Sequence, residues 1–237
     1  MRNFPEFIIA YWAIHLLGGV AALLNCWSSP EAIQHCLVTM SPKVIILDPE
    51  RADVISGPIL ETCKTKFTLN GILIVRANEV GGGPDSKDWR WRWPGMISFN
   101  EALESYAGPI NAWEGATPAG LDEPCAIMFT SGTTALPKGV ILSQRMILTS
   151  ILSLSYVRNV AALRSGKPFV PRKPIDSPKA GMIGIPLFHG AACNITLVIF
   201  QAFQLTHSTQ SIISSQVDVY SSWRQDSPNA KMVQERR

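Results

Sequence analysis

The sequence predicts an α/β fold in which parallel strands alternate with helices in βαβ layers. Three short runs are apolar along their whole length, at Val20–Leu24, Val44–Leu47 and Ile72–Val75. Such continuous apolar character is typical of parallel strands that are covered on both faces. Helical patterns separate the three runs, and this strand–helix–strand order predicts right-handed crossover units.

The segments around these strands have helical periodicity. Pro5 to Leu17 begins with a proline in its first turn and stops before Gly18, which marks the end of a helix. Glu31 to Met40 places its apolar residues on one helical face, and Arg51 to Cys63 is a further helix interrupted at Gly57–Pro58. Helices are also predicted for Phe99–Tyr106, Ile141–Arg158 and Ala191–Phe203, and buried strands for Cys125–Phe129 and Met182–Ile185.

The apolar run from Phe7 to Leu24 raises the alternative of a membrane anchor. As one helix it would reach roughly 27 Å, near the lower limit for crossing a bilayer. Gly18–Gly19 divides the run and His15 lies within it, which favours a helix followed by a buried strand. The run also lacks the order of regions of a signal peptide. We therefore predict that the protein does not span a membrane, and we keep the anchor as the alternative.

Composition excludes several classes of protein. Hydrophobic residues make up 46% of the chain and charged residues 16%, which is typical of a globular protein with a substantial core. A net charge of +3 gives no basic footprint for nucleic acid. The 5 cysteines are scattered without a C-x-x-C pair, so neither a disulfide framework nor a metal site is predicted. These features favour a reducing, cytoplasmic setting.

Tryptophan and arginine alternate from Trp89 to Trp93, between a glycine-rich stretch and Pro94. Alternating aromatic and basic residues can stack on single-stranded nucleic acid. No larger basic patch accompanies this segment. We predict a surface loop whose rings fold onto the protein, with no nucleic-acid partner.

The strongest functional signal follows the predicted strand Cys125–Phe129. Hydroxyls and a glycine are concentrated there, before a lysine, and we predict a phosphate-holding loop that includes Thr130, Ser131, Gly132, Thr133, Thr134 and Lys138. Small residues allow close approach of the backbone, and N–H groups, hydroxyls and an ammonium suit a polyphosphate. Pro137 and Gly139 flank the lysine, so the segment does not match the Walker pattern. The alternative is a turn rich in Ser, Thr and Gly that binds nothing.

This segment, Thr130 to Val140, resembles the signature loop of the AMP-forming synthetases, which include acyl-CoA synthetases, luciferases and the adenylation domains of peptide synthetases. It departs from the family pattern at Ala135, where glycine is usual. Pro186–His189 resembles the next motif of that family, and Asn3–Phe7 resembles its early helix. The resemblance implies a partial AMP-binding domain over residues 1–203, followed by a divergent segment over residues 204–237.

The resemblance also implies the chemistry of the parent reaction. A carboxylate attacks the α-phosphate of ATP to give an acyl adenylate and pyrophosphate, and the thiol of CoA then takes the acyl group, as in fatty acid metabolism. The phosphate-loop residues would hold the β- and γ-phosphates, and His189 would border the carboxylate. Mg²⁺ would accompany ATP, but its usual ligand lies in a motif that this sequence does not contain, so no metal ligand is assigned.

Other family motifs are also absent: the aromatic-Gly-x-Thr-Glu run, the ribose-binding aspartate, the hinge and the domain with the catalytic lysine. The resemblance therefore implies a central piece of the large domain, with weak ATP binding and little or no turnover. The alternative is a non-catalytic nucleotide-binding or regulatory remnant. The sequence leaves the identity of the carboxylic acid and the oligomeric state open.

Overall fold

The computed structural model describes residues 1–79, 88–108, 119–130, 136–167 and 185–193. Its helices are α1 (Pro5–Leu16), α2 (Pro30–Met40), α3 (Pro49–Ile55), α4 (Pro58–Lys66), α5 (Asp88–Arg92), α6 (Phe99–Glu104) and α7 (Gln144–Arg164). Its strands are β1 (Ala21–Leu23), β2 (Val44–Leu47), β3 (Gly71–Ile74), β4 (Ile97–Ser98), β5 (Pro124–Thr130) and β6 (Lys138–Ser143).

The strands form two sheets of three. One has the order β1-β5-β6 and the other β2-β3-β4. β1 runs parallel to β5, with Ala21 opposite Ala126, and β2 runs parallel to β3, with Val44 opposite Gly71. β4 is also parallel to β3, whereas β6 is antiparallel to β5. The predicted α/β class with parallel strands is therefore confirmed.

The chain divides into two compact units. The first comprises residues 1–150 and 183–194 and contains both sheets. The second comprises residues 151–182 and 195–237. Of the second unit the structure describes residues 151–167, which include the C-terminal part of α7.

The early elements agree with their sequence predictions. Proline occupies the first turn of each of the first four helices. The fixed φ of proline suits that position, and no hydrogen bond is lost because a backbone N–H in the first turn has no partner within the helix. Gly57, at φ +83°, precedes Pro58 and separates α3 from α4. The apolar run from Phe7 divides at Gly18, at φ +70°, into α1 and β1 as predicted. Among the residues that the structure describes, no helix combines the length and hydropathy required to cross a bilayer.

The predicted helix beginning at Ile141 is wrong in its first turn. Residues 138–143 form β6, which pairs with β5 from Lys138 opposite Thr130 to Ser143 opposite Pro124. Helix α7 begins only at Gln144, and the Ser143 hydroxyl accepts a hydrogen bond from the Met146 amide at 3.3 Å. A serine in this position is a common helix start. The loop after Thr130 therefore joins two antiparallel strands and does not lead directly into a helix.

The tryptophan–arginine segment forms helix α5, whereas the sequence predicted a loop. Trp89 and Trp93 are four residues apart, share one helical face and are 4% and 1% exposed, so the predicted packing of rings onto the protein is confirmed for them. Trp91 lies between them in sequence and is 87% exposed. Arg92 donates two hydrogen bonds to Asp53, and Arg90 pairs with Glu101. Both guanidinium groups are therefore paired with carboxylates of this protein.

Asp53 connects α5 to α3. Its carboxylate accepts hydrogen bonds from Arg92 at 2.9 and 2.6 Å and from the indole N–H of Trp93 at 2.9 Å. Burial alone would raise the pKa of Asp53, but the hydrogen bonds from Arg92 and Trp93 hold the pKa below its ordinary value. The two rings of α5 enter the main hydrophobic cluster, which also contains Ile74, Ala52 and Cys63.

Asp48 anchors the amino-terminal segment to the second sheet. It follows β2, is 1% exposed, and caps α3 by accepting a hydrogen bond from the Arg51 amide at 3.0 Å. The other carboxylate oxygen of Asp48 accepts a hydrogen bond from the backbone amide of Arg2 at 2.7 Å. The Arg51 guanidinium lies 3.6 Å from Asp48 Oδ1. One buried carboxylate thus joins residue 2, β2 and α3.

The burial of His15 leads us to predict that the protein loses stability in mild acid. Among the described residues, neither ring nitrogen of His15 has a hydrogen-bond partner. The Tyr11 ring packs edge-on against the His15 imidazole, with the two ring centroids 4.3 Å apart. Burial lowers the pKa of His15 to about 4, below its unfolded value of about 6.5. The unfolded state therefore takes up the proton first, so stability is complete above pH 6.5 and falls as the pH decreases towards 4.

We expect His15→Leu to remove this dependence. Between pH 7 and pH 4.5 the wild type should lose about 1–2 kcal/mol more unfolding free energy than the variant, after allowance for solvent around the ring. Urea denaturation at the two pH values measures the difference. An equal loss in both proteins would contradict the assignment, since the carboxylates that also titrate in this range are common to both.

Candidate functional site

The predicted phosphate loop lies at the turn of the β5–β6 hairpin. Thr130 ends β5 and Lys138 begins β6; their backbones pair, and the Thr130 hydroxyl donates to the Lys138 carbonyl at 3.5 Å. Both residues are exposed. Ser131, Gly132, Thr133 and Thr134, together with Ala135, lie outside the described residues. Pairing of Thr130 with Lys138 thus places both ends of the loop at the same end of the β5–β6 hairpin.

A cavity of about 510 Å³ lies beside this hairpin. Its walls come from the chain after β1, from the hairpin and from the segment around His189. Thr130, Pro137 and His189 all line it, although they lie far apart in sequence. The structure therefore brings Thr130 and His189, two of the predicted site residues, to one cavity. Lys138 is placed next to Pro137 with its side chain exposed.

His189 is held by local backbone hydrogen bonds. The backbone amide of His189 donates a hydrogen bond to the Pro186 carbonyl at 2.9 Å. The His189 carbonyl accepts a hydrogen bond from the Cys193 amide at 3.0 Å, and residues 190–193 form a helical turn. The ring Nδ1 accepts the Ala191 amide at 3.3 Å. When Nδ1 acts as an acceptor, the proton of the neutral imidazole resides on Nε2. His189 can therefore offer an Nε2–H donor.

Asn3 positions the segment that carries His189. Its side-chain amide donates to the Ile185 carbonyl at 2.9 Å, and its side-chain oxygen accepts the Leu187 amide at 2.8 Å. One side chain thus satisfies a donor and an acceptor two residues apart, as a neighbouring strand would. Gly190 allows the turn to approach the cavity wall, because a Cβ there would lie 3.1 Å from the Met128 sulfur. Sequence reasoning gave Asn3 no role, since its partners lie more than 180 residues away.

The chain after β1 supplies polar groups that the sequence analysis missed. Asn25 and Ser28 line the cavity, and Asn25 accepts the Trp27 amide at 2.9 Å. The Trp27 ring packs edge-on against Phe188, with ring centroids 5.5 Å apart. Polar residues directly after the carboxyl end of a parallel strand often face a ligand, and this signal could have identified them.

The cavity is lined mainly by apolar residues, and its few polar groups suit an anion. Its described lining includes hydroxyl, amide and imidazole groups but no aspartate or glutamate. Mg²⁺ prefers carboxylate oxygens, so these residues do not by themselves fit the ion that accompanies ATP in the predicted reaction. No cluster of three His, Cys, Asp or Glu suited to a metal occurs in the parts of the chain that the structure describes.

The surroundings of Cys125 and Cys193, two thiols near the site, make them poor nucleophiles. Cys125 on β5 and Cys193 after the His189 turn are buried and unbridged. Burial raises the pKa of both thiols, and the side-chain hydrogen bond with Tyr11 only partly offsets this for Cys193. Because the thiolate is the nucleophile, a raised pKa argues against a catalytic cysteine here.

Comparison with known proteins gives a family match over most of the chain. The model of the family described as AMP-binding enzyme matches residues 1–209. The long-chain-fatty-acid–CoA ligase of Thermus thermophilus is 28% identical over 152 residues, which are 64% of this chain and 24% of that protein. The 4-coumarate–CoA ligase 2 of Oryza sativa subsp. japonica is 25% identical over 205 residues, which are 84% of this chain and 31% of that protein.

Solved structures agree in fold. A protein of Rhodopseudomonas palustris assigned as a long-chain-fatty-acid CoA ligase superposes with a TM-score of 0.58 at 21% identity, covering 85% of this chain and 41% of that one. ATP-bound MatB from the same organism gives a TM-score of 0.51 at 22% identity, and the match covers 86% of this chain and 32% of MatB. The chain thus resembles a part of each of these proteins, about a quarter to two fifths of their length.

Proposed function

The chain belongs to the AMP-binding enzyme family, and from this membership we propose that its site serves the ATP-dependent activation of a carboxylic acid. A carboxylate oxygen attacks the α-phosphorus, the bond from that phosphorus to the bridging oxygen breaks, and pyrophosphate leaves. In the second step the sulfur of CoA attacks the acyl carbon, AMP leaves, and the thiol proton passes to solvent. The names of both curated relatives describe CoA ligases, one of a long-chain fatty acid and one of 4-coumarate.

The cavity shared by Thr130 and His189 is the observation that supports this proposal. We assign the β- and γ-phosphates to the hydroxyls and amides of the loop, namely Thr130, Ser131, Gly132, Thr133 and Thr134. The Lys138 ammonium, at the far end of the loop, offsets phosphate charge. The Nε2–H of His189 would donate to the substrate carboxylate or its adenylate. Positioning and charge stabilisation thus account for most of what the protein contributes to adenylation.

For the 237-residue polypeptide assayed alone, we propose nucleotide binding with little or no turnover. The chain spans 24% to 31% of the curated relatives that it matches, so most of the positions with which they could stabilise a transition state are not in it. Catalysis depends on interactions that strengthen in the transition state, whereas ground-state binding of phosphates needs fewer. Carboxylate-dependent exchange of pyrophosphate into ATP would contradict this part of the proposal.

The cellular setting is also a proposal. All five cysteines are buried and unbridged, which agrees with a reducing compartment. We place the protein in the cytoplasm on this ground, and a membrane-extraction experiment tests the placement. The boundary predicted between residues 203 and 204 lies outside the described residues and stays a prediction.

ATP binding through the loop gives a direct test. We expect ATP to raise the melting temperature of the wild type, because a ligand that binds only the folded state stabilises it. Lys138→Ala should weaken ATP binding about tenfold, which corresponds to about 1.4 kcal/mol. Calorimetric titration measures the affinity.

Lys64→Ala is the matched control for this test. Lys64 lies on α4, is about half exposed and pairs with Glu61, so its removal should leave the ATP affinity unchanged. Absence of any ATP-induced thermal shift in the wild type would refute nucleotide binding by this chain. An equal loss of affinity in both lysine variants would instead indicate binding by general positive charge.

A further inference from the structure

The backbone before Asn3 is fixed by the loop that follows β2. The Arg2 amide donates to the buried Asp48 carboxylate at 2.7 Å. The Phe4 amide donates to the Arg2 carbonyl at 2.8 Å, which forms a tight three-residue turn with Asn3 at its centre. The Asn3 side chain can hold the segment of His189 in one place only if the residues after Asn3 are fixed as well.

Arg76 fixes those residues. Its guanidinium carbon lies 4.4 Å from the centroid of the Phe4 ring, which is a cation–π contact. Its Nε atom lies 3.3 Å from Oε1 and 3.5 Å from Oε2 of Glu6, in the first turn of α1. Glu6 is 4% exposed, so this ion pair is buried. One guanidinium therefore contacts both the first and the third residue after Asn3.

The backbone of Arg76 is itself held in an uncommon conformation. Arg76 follows β3, where the Val75 amide donates to the Leu47 carbonyl at 2.9 Å and so continues the pairing with β2. The φ of Arg76 is +55°, in the left-handed region that residues with a side chain rarely adopt. Such a conformation persists where the surrounding structure imposes it, and it is concentrated at functional sites. Arg76 is thus attached to the second sheet by its backbone and to α1 by its side chain.

The buried ion pair makes the position of Asn3 depend on Arg76. A buried carboxylate that loses its partner is left as an uncompensated charge. Without the guanidinium, Glu6 would have to move towards water, and the first turn of α1 would move with it. Asn3 lies two residues before that turn, and its side chain bonds to Ile185 and Leu187. A shift at Glu6 would therefore reach the segment that carries His189.

We propose that Arg76 is a positioning residue for His189. Paired with Glu6, it sets the place of Asn3, and Asn3 sets the place of the His189 ring at the cavity. Arg76 is not among the described residues that line this cavity, so it acts through Asn3 and not on a ligand. The role of His189 as a donor to the carboxylate rests on the proposed function, whereas the positioning of its ring is measured without any substrate.

The test compares Glu6→Gln with Glu79→Gln. Each variant removes one carboxylate charge from Arg76, but Glu79, 3.5 Å from the guanidinium, is 59% exposed. Hydrogen exchange at the Leu187 amide reports on its bond to Asn3, and the amides of the central strand β3 report on global stability. Glu6→Gln should accelerate Leu187 about tenfold more than β3. Glu79→Gln should change this ratio less than about twofold.

A nuclear magnetic resonance spectrum of ¹⁵N-labelled histidine gives a second measurement, which a merely structural role would leave unchanged. At about pH 8.5 an imidazole with an ordinary pKa near 6.5 is neutral. The Nδ1 atom of His189 accepts the Ala191 amide, so the wild type should show one tautomer with two well-separated ring signals. Glu6→Gln should move these signals towards each other as the second tautomer becomes populated, and Glu79→Gln should not. The spectrum of His189→Gln assigns the signals.

Asn3→Ala tests whether the effect passes through Asn3. In that background Glu6→Gln should give no further acceleration at Leu187 relative to β3, because the bond that it weakens is already absent. Equal acceleration of Leu187 and β3 by Glu6→Gln would overturn the proposal, since it would show loss of stability alone. An undiminished effect in the Asn3→Ala background would overturn it as well.

Arg76→Lys keeps the test decisive if Glu6→Gln does not fold. Lysine retains a charge beside Glu6 but loses the planar group that stacks on Phe4. Its exchange ratio at Leu187 should rise about threefold, and an unchanged ratio would overturn the proposal. These measurements contain no nucleotide, so their failure leaves the ATP-binding test intact. Absence of ATP binding would refute the proposed function without altering the exchange result.

Discussion

Replacing Trp93 by alanine is expected to remove a large part of the stability of the protein. Trp93 is 1% exposed, belongs to the main hydrophobic cluster and donates its indole N–H to Asp53 at 2.9 Å. Truncating a buried tryptophan typically costs about 3–5 kcal/mol, out of a total stability of about 5–15 kcal/mol. The urea midpoint of the variant measures the loss.

Trp91 is the control that the same helix provides. Its side chain is 87% exposed, and Trp91→Ala should change the unfolding free energy by no more than about 0.5 kcal/mol. The two substitutions remove the same number of atoms from one short helix, so composition and helix propensity are matched. Similar urea midpoints for both variants would contradict the burial pattern of α5.

Removing the carboxylate of Asp48 is expected to cost about 3 kcal/mol or more. Asp48→Ala loses the cap of α3 and the hydrogen bond to the Arg2 amide, and it leaves the Arg51 guanidinium, whose side chain is 11% exposed, without its buried partner. Breaking a buried ion pair by deleting one member typically costs about 3–5 kcal/mol. Calorimetry of wild type and variant gives the difference in stability.

Two further variants separate the parts of this effect. Asp48→Asn keeps an acceptor oxygen for one of the two amides and removes the charge, so its cost should be smaller than that of alanine. Glu50→Ala removes a half-exposed carboxylate that also pairs with Arg2 and Arg51, and it should cost less than about 1 kcal/mol. A larger loss for Glu50→Ala than for Asp48→Ala would refute the assignment of Asp48 as the anchor.

Local sequence patterns predicted most of the described elements because those elements depend on local physics. Strand β2 coincides with the apolar run Val44–Leu47, and α2 begins one residue before the predicted Glu31. Continuous apolar runs and first-turn prolines act within a few residues of themselves. For the same reason the sequence located the hydroxyl-rich segment beside the strand Cys125–Phe129.

The errors arose where tertiary pairing decided between two local options. Val140, Ile141 and Leu142 fit a helical face or a strand equally well, and pairing with β5 selects the strand. The α5 segment contained the helical spacing of Trp89 and Trp93, but its flanking glycines and Pro94 favoured a loop. Asn3 and Asn25 could not be assigned to the site from periodicity, because their roles depend on residues distant in sequence or on a cavity formed by several elements.

The two hydrogen bonds from Asn3 have a consequence for synthesis on the ribosome. Ile185 and Leu187 leave the ribosome 182 and 184 residues after Asn3. At translation rates of about 5–20 residues per second, Asn3 waits roughly 10–40 seconds for these partners. During that interval Asn3 lacks these two contacts, so it can hold the segment that carries His189 only after residue 187 has been synthesised.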